Sequence, residues 1–443
     1  MRSAWVLVTV ILVAIGLAVV PVDDAWAVDP SCENQAAPLP PIEALPWAQQ
    51  MYDPENKLEP FSTGAGVTVA VLDSGVDPSH QQLQGKVLPG IGLVPGLPPV
   101  GNIDCLPHGT AVASIIAARS VDGVGFAGLA PGATILPVRV SDKKHTNPQD
   151  DFLAPSVLAQ GINYAVANGA HVVALSAVSY LDDPALKAAV DGALAAGVVI
   201  VAAVGDGHDE RRDGLGLTPF IAYPAVYDGV IGVGAVGEDG ARAPTSAIGW
   251  YLDLVAPGLN VTAASFGGHD SFNGTGMAVG FVAAAAALML GQRGSDLPGL
   301  SGPQRVSVLT ARLLGSADGT IGGAPSLAYG YGLVDPYRAM TEATVGGTPR
   351  ALEGRQPPPR DQAAERLAAA RAEAEGSALR SALVLAGLVL VVLAAAFAIP
   401  RARRRRWRPG RDREVQPERE DKRPEFLPGE MLFRSPPDRV GQD

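Results

Sequence analysis

The sequence predicts an α/β protein, a three-layer fold with a parallel central sheet, followed by one C-terminal transmembrane helix. Three observations carry this. Aliphatic and β-branched runs recur between residues 66 and 255, as parallel strands buried on both faces require. Helical stretches separate them at lengths that fit right-handed crossovers. Near the end of the chain an uninterrupted apolar segment is followed at once by a cluster of arginines.

The chain has 443 residues, 47% of them hydrophobic and 18% charged, which is the composition of an ordered globular protein. Its formal charge of −11 argues against a nucleic-acid partner, because phosphate binding needs a basic surface.

In chain order, Met1-Arg2-Ser3, an apolar run from Ala4 to Val20 and then Ala25-Trp26-Ala27 read as a secretory signal peptide over residues 1–27, with a retained signal anchor as the alternative. Residues 28–64 hold seven prolines and no apolar period. They read as an extended surface arm, too short to be an independently folded pro-domain.

The main domain is expected over residues 65–343. Its first strand, Gly66 to Leu72, ends in Asp73-Ser74-Gly75-Val76, which puts a carboxylate where parallel sheets place their chemistry. Cys105-Leu106-Pro107-His108-Gly109-Thr110 then sets a histidine at the opening of an apolar helix. Strands follow at Ala133 to Val140, Val172 to Ser176, Val198 to Val204, Val230 to Val236 and Leu252 to Val255. Helices are expected at Val157 to Ala167, Ala185 to Ala196 and Thr275 to Gly291, and a polar loop at residues 141–155.

Residues 344–380 form a Pro-rich linker that ends in an Ala-rich, charge-alternating helix. Residues 381–400 are the membrane span. A buried core helix is the other reading of that segment, but a soluble protein seldom places five arginines directly after one. Residues 401–443 are a basic tail, cytoplasmic by the positive-inside rule, which leaves the main domain outside a plasma membrane crossed once. Cys32 and Cys105, an even pair in an oxidising compartment, suggest a disulfide. His80, His145, His171, His208 and His269 lack metal-ligand spacing and read as surface or packing residues. No carboxylate spacing indicates calcium, and no cofactor is expected.

Asp73-Ser74-Gly75-Val76, His108-Gly109-Thr110 and Gly274-Thr275-Gly276-Met277-Ala278 resemble the aspartate, histidine and serine motifs of the subtilisin-like serine proteases, in that family's order. Supporting segments are Leu129-Ala130-Pro131-Gly132-Ala133, Tyr223-Pro224-Ala225, Ala256-Pro257-Gly258 and Tyr331-Gly332-Leu333-Val334-Asp335. The arm with its cysteine, Asp104-Cys105-x-x-His108 and the C-terminal membrane helix resemble the mycosins, the membrane-anchored subtilases of type VII secretion systems. The resemblance implies a subtilisin-like fold, a Cys32–Cys105 bridge pinning the arm beside the histidine, and secretion-complex subunits as partners.

The resemblance breaks at the chemistry. A subtilase needs a buried aspartate to hold the histidine's tautomer, a histidine to take a proton, and a hydroxyl to attack the carbonyl. Asp73 and His108 fit the first two roles, but Gly276 stands at the nucleophile position. Losing that serine costs an enzyme of this type on the order of 10⁶ in turnover. The oxyanion-hole asparagine is replaced by Asp206, whose loss as a donor costs roughly 10² to 10³. Gly280 replaces a motif proline, and Val178 stands where the substrate-binding strand carries a glycine. Thr275 and Ser271 are stand-in hydroxyls, but neither is expected in line with His108. Asp73 and His108 also have a structural reading, as a hydrogen-bonded pair that closes a buried polar site. The sequence therefore reads as a disabled protease with a structural role. An active endopeptidase and a peptide-binding module that does not cut are the alternatives.

Overall fold

The structure is a computed structural model that describes Cys32 and residues 39–142, 153–207, 221–319 and 325–342, with two isolated positions, Ile399 and Arg403. It contains a seven-stranded, all-parallel sheet in the order β2-β3-β1-β4-β5-β6-β7. These strands are β1 (Thr68–Asp73), β2 (Ile91–Gly92), β3 (Thr134–Arg139), β4 (Val172–Leu175), β5 (Val199–Ala203), β6 (Ile231–Val236) and β7 (Leu254–Pro257). The expected strands are present, with β7 beginning two residues later than Leu252. The short β2 had no sequence signal, since two residues show no period.

Alternate residues of each strand serve different cores, as a period of two requires. Val69 and Val71 of β1 join one cluster with α2 (His108–Ala117) and α5 (Thr275–Gly291). Ala70 and Leu72 face the other way, to Leu158 and Ile162 of α3 (Pro155–Ala167) and Leu186 and Val190 of α4 (Pro184–Ala195). Helix α5 is apolar all round and buried from Thr275 to Met289, so it is the central helix of the first layer. Gly280 lets it approach α2. A Cβ there would lie 3.0 Å from Ile115 Cγ2 and 3.3 Å from the Val112 carbonyl oxygen.

The arm differs from the expectation of an extended surface strap. It contains α1 (Trp47–Tyr52) and a π-helical turn at Pro54–Leu58. Ala48, Tyr52 and Leu58 are buried in the α2–α5 core, and the Tyr52 ring sits 5.6 Å from that of Phe281. Prolines at helix starts masked this, because a six-residue helix is too short for its apolar face to repeat. The strands β8 (Val261–Ala264) and β9 (His269–Phe272) form an antiparallel hairpin against which the arm lies. Leu39 donates its amide to Phe266, and Trp47 Nε1 to Asn260. Helices α6 (Gly302–Ser316) and α7 (Pro336–Thr341) complete the domain.

Cys32 and Cys105 are joined across 73 residues. A loop of that length corresponds to about 4 kcal/mol on the chain-entropy account. Among the described residues no helix is long and apolar enough to cross a membrane. The signal peptide, the linker, the span apart from Ile399 and the tail apart from Arg403 lie outside the described residues, as do His145 and His208.

Candidate active site

The residues singled out by sequence meet at the carboxyl edge of the sheet, where parallel folds place ligands. Asp73 ends β1, Ser176 follows β4 and Asp206 stands three residues beyond β5. His108 opens α2, and Gly276 is the second residue of α5. Gly109 makes the approach of α2 possible. A Cβ there would fall 2.0 Å from the Gly75 carbonyl oxygen and 3.0 Å from Asp73 Cβ.

His108 Nδ1 lies 2.8 and 2.9 Å from the two Asp73 oxygens. The carboxylate also accepts the Ser74 amide at 2.6 Å and the Ser176 hydroxyl. Burial alone would raise the Asp73 carboxyl, but the His108 charge and the hydrogen bonds from His108, Ser176 and Ser74 hold it below the usual range. Burial likewise opposes a charge on His108. The Asp73 charge and hydrogen bond, with Asp104 and Asp206 beyond, together outweigh that opposition and raise the imidazole above its usual value.

A second buried carboxylate supports this pair. Asp104 accepts Ser74 Oγ at 2.8 Å, the Leu106 amide at 3.0 Å, the Thr110 amide at 2.8 Å and the Thr110 hydroxyl at 2.6 Å. Ser74 Oγ in turn accepts the Gly109 amide at 3.0 Å. Helix α2 has no side-chain cap at Pro107, so Asp104 satisfies its first turn from outside and ties it to the end of β1. In the sequence Asp104 stands out only as the neighbour of Cys105. Its partners, Ser74 and Thr110, lie 30 positions before it and 6 after it, so spacing alone gave no cue.

The nucleophile side is different. A Cβ built on Gly276 would stand 3.2 Å from His108 Nε2, 2.9 Å from His108 Cε1 and 3.1 Å from Ser176 Cβ. This is the position from which a hydroxyl would address the imidazole, and the residue there has none. Asp206 turns its carboxylate onto the start of α5, accepting the Thr275 amide at 2.9 and 3.1 Å and the Thr275 hydroxyl at 3.2 Å. Helix N-termini bind anions through their free amides and dipole. Here the chain's own carboxylate takes that place, and Gly274 at the N-cap contributes no side chain. Burial pushes the Asp206 carboxyl up against the opposing Thr275 bonds, the His108 charge and Thr245, while solvent on its exposed side limits the rise.

Of the stand-in hydroxyls, Thr275 is engaged with Asp206, and Ser271 lies exposed on β9. Of the remaining histidines, His80 and His269 are buried, and His171 is half-buried with its Nδ1 accepting the Thr68 amide at 3.1 Å. Among the described residues no cluster of three or more His, Cys, Asp or Glu side chains is placed to hold a metal ion.

Comparison with known proteins agrees with the geometry. Residues 64–332 match the subtilase family of peptidases. Subtilisin NAT of Bacillus subtilis subsp. natto is 38% identical over 229 residues, so the match takes in 52% of this chain and only 56% of that relative's length. Among solved structures, the serine protease MycP1, described as an essential component of the type VII (ESX-1) secretion system, superposes with a TM-score of 0.58 at 27% identity. The match covers 69% of this chain and 91% of that one. MycP3 protease from the type VII (ESX-3) system gives a TM-score of 0.57 at 27% identity, over 72% and 98%. A family match over more than half of the chain, on a parallel sheet with the motif residues gathered at its carboxyl edge, makes this chain a member of the subtilase family.

Proposed function

We propose that this chain is a mycosin-like subtilase homologue without peptidase activity, and that it serves as a structural component of a type VII secretion membrane complex. It is held by one helix at the plasma membrane, with the subtilase domain outside and the basic tail in the cytoplasm. The observation that carries the loss of activity is Gly276, which faces the His108 imidazole with no atom that can attack. Asp206 reinforces it, since a carboxylate at that position repels a developing oxyanion and occupies the amide end of α5. The secretion role is supported by the likeness to MycP1 and MycP3, and the partners it implies are membrane subunits of such a system.

The test is fluorophosphonate labelling and peptide hydrolysis by the full chain, compared with Gly276→Ser and with Gly276→Ser combined with Asp206→Asn. The native chain is expected to be silent and the double variant to label. Labelling of the native chain would restore the endopeptidase reading. For the secretion role, deletion of the protein should impair assembly of the membrane complex, and unchanged assembly would remove that role.

A further inference from the structure

Arg139, the last residue of β3, is 3% exposed. It lies in register with Asp73 on β1, but the Asp73 carboxylate is taken up by His108, Ser74 and Ser176. Among the described residues the guanidinium makes one hydrogen bond, from Nη2 to Cys105 Sγ at 3.7 Å, and its Nε is buried with no acceptor. A guanidinium cannot shed its proton, so burying it without an anion is unfavourable, and a disulfide sulfur is a weak acceptor. A thiolate at Cys105 would supply the missing anion in the same place. The reduced protein thereby gains an ion pair that the oxidised protein lacks.

We propose that Cys105 is the leaving-group sulfur of an exchangeable disulfide, made so by the Arg139 guanidinium, and that the reagent for this site is a dithiol reductant. In the first step one thiolate of the reductant attacks Cys32 Sγ. The Sγ–Sγ bond breaks, and its electron pair stays on Cys105 as a thiolate beside Arg139. In the second step the other thiol of the reductant, as its thiolate, attacks its own sulfur in the mixed disulfide and expels Cys32 as a thiolate, which takes up a proton. The dithiol is oxidised to a disulfide and the protein is reduced by two electrons. Exchange favours the sulfur of lower thiol pKa as leaving group, and a neighbouring cation lowers that pKa. Cys32 is 7% exposed, so attack at its sulfur follows local opening around the disulfide. The inference is independent of whether Gly276 disables catalysis.

The experiment reduces the full chain with dithiothreitol, alkylates it with iodoacetamide across a pH series, and follows Cys32 and Cys105 separately by peptide mass spectrometry. The midpoint for Cys105 is expected about one pH unit or more below the free-thiol value of about 8.5. Arg139→Met should return it to about 8.5 and leave Cys32 where it was, and Arg139→Lys should preserve most of the difference. The equilibrium constant for opening by dithiothreitol should fall about tenfold in Arg139→Met, the amount that one pH unit of thiolate stabilisation represents. A Cys105 midpoint at or above that of Cys32 in the native chain overturns the proposal, and this readout stands even if Arg139→Met does not fold. Equal midpoints in native and Arg139→Met protein overturn it as well.

Discussion

The Asp73–His108 side of the cleft and the Gly276–Asp206 side differ in how many other atoms depend on them. Asp73 joins β1 to α2 and to Ser176, and through Ser74 it meets Asp104, whose carboxylate accepts two hydroxyls and two amides below the surface. Removing either aspartate strands buried donors, which is costly whether or not chemistry occurs there. Gly276 carries no such burden, and the exposed Asp206 carries a smaller one, the amide and hydroxyl of Thr275. Deleting a hydroxyl at 276 leaves nothing unpaired, and Asp206 finds local work by receiving the amide of Thr275. The half tied into the scaffold carries an aspartate and a histidine, and the half at the start of α5 carries a glycine and an aspartate where the resemblance to subtilases implies a serine and an asparagine.

The largest expected effect tests whether the retained half is still competent. Gly276→Ser alone must push the His108 ring aside, because the new Cβ would meet Cε1 at 2.9 Å while Asp73 holds the far side of the imidazole. Adding Asp206→Asn should raise peptidase turnover roughly 10²- to 10³-fold over the single variant. Equal turnover would mean that Asp206 is not what blocks the oxyanion.

Next in size, Asp104→Ala should destabilise the domain by about 3 kcal/mol in urea unfolding, from the donors it strands. A loss no larger than that of a surface aspartate would break the contrast between the two halves. Asp206→Ala should cost only about 1 kcal/mol, the value of a helix cap, and Asp206→Asn close to nothing, since an amide oxygen accepts the same Thr275 bond. If both variants cost as much as Asp104→Ala, the nucleophile side is scaffold too.

The smallest expected effect lies at the arm, outside both halves. His269 Nδ1 accepts the Ile42 amide at 3.2 Å, and its Nε2 meets Gln82 Oε1 at 2.7 Å, so the ring is neutral in the folded chain. Burial, with His80 beside it, pushes its pKa down from 6.5 to about 4. Below the unfolded value the unfolded chain takes up a proton that the folded chain resists. The stability present above pH 6.5 is therefore lost as pH falls toward 4. The melting temperature should decline over that window, and less steeply in His269→Gln. An identical slope would place the acid sensitivity elsewhere.

Most of the sheet was legible, because parallel strands buried on both faces must be runs of aliphatic residues, and those from Val69 to Val255 stand out against any loop. The all-apolar α5 was legible for the same reason. The arm was misread as an extended strap because α1 is six residues long and its buried face, Ala48 and Tyr52, cannot repeat often enough to show a period. The hairpin β8–β9 escaped because Asp270 and Ser271 face solvent and leave little apolar pattern.

Sequence alone determined what is missing from the site. A glycine has no hydroxyl wherever it is placed, so Gly276 between Thr275 and Met277 settles that a serine side chain is absent from that motif. Tertiary structure decided what surrounds the gap. That Gly276 faces His108, that Asp206 caps α5, that Asp104 braces the Asp73–His108 pair and that Arg139 is buried against Cys105 all depend on contacts between residues far apart in the chain. Such contacts are made by packing strands and helices into layers, and no local pattern in the sequence encodes them.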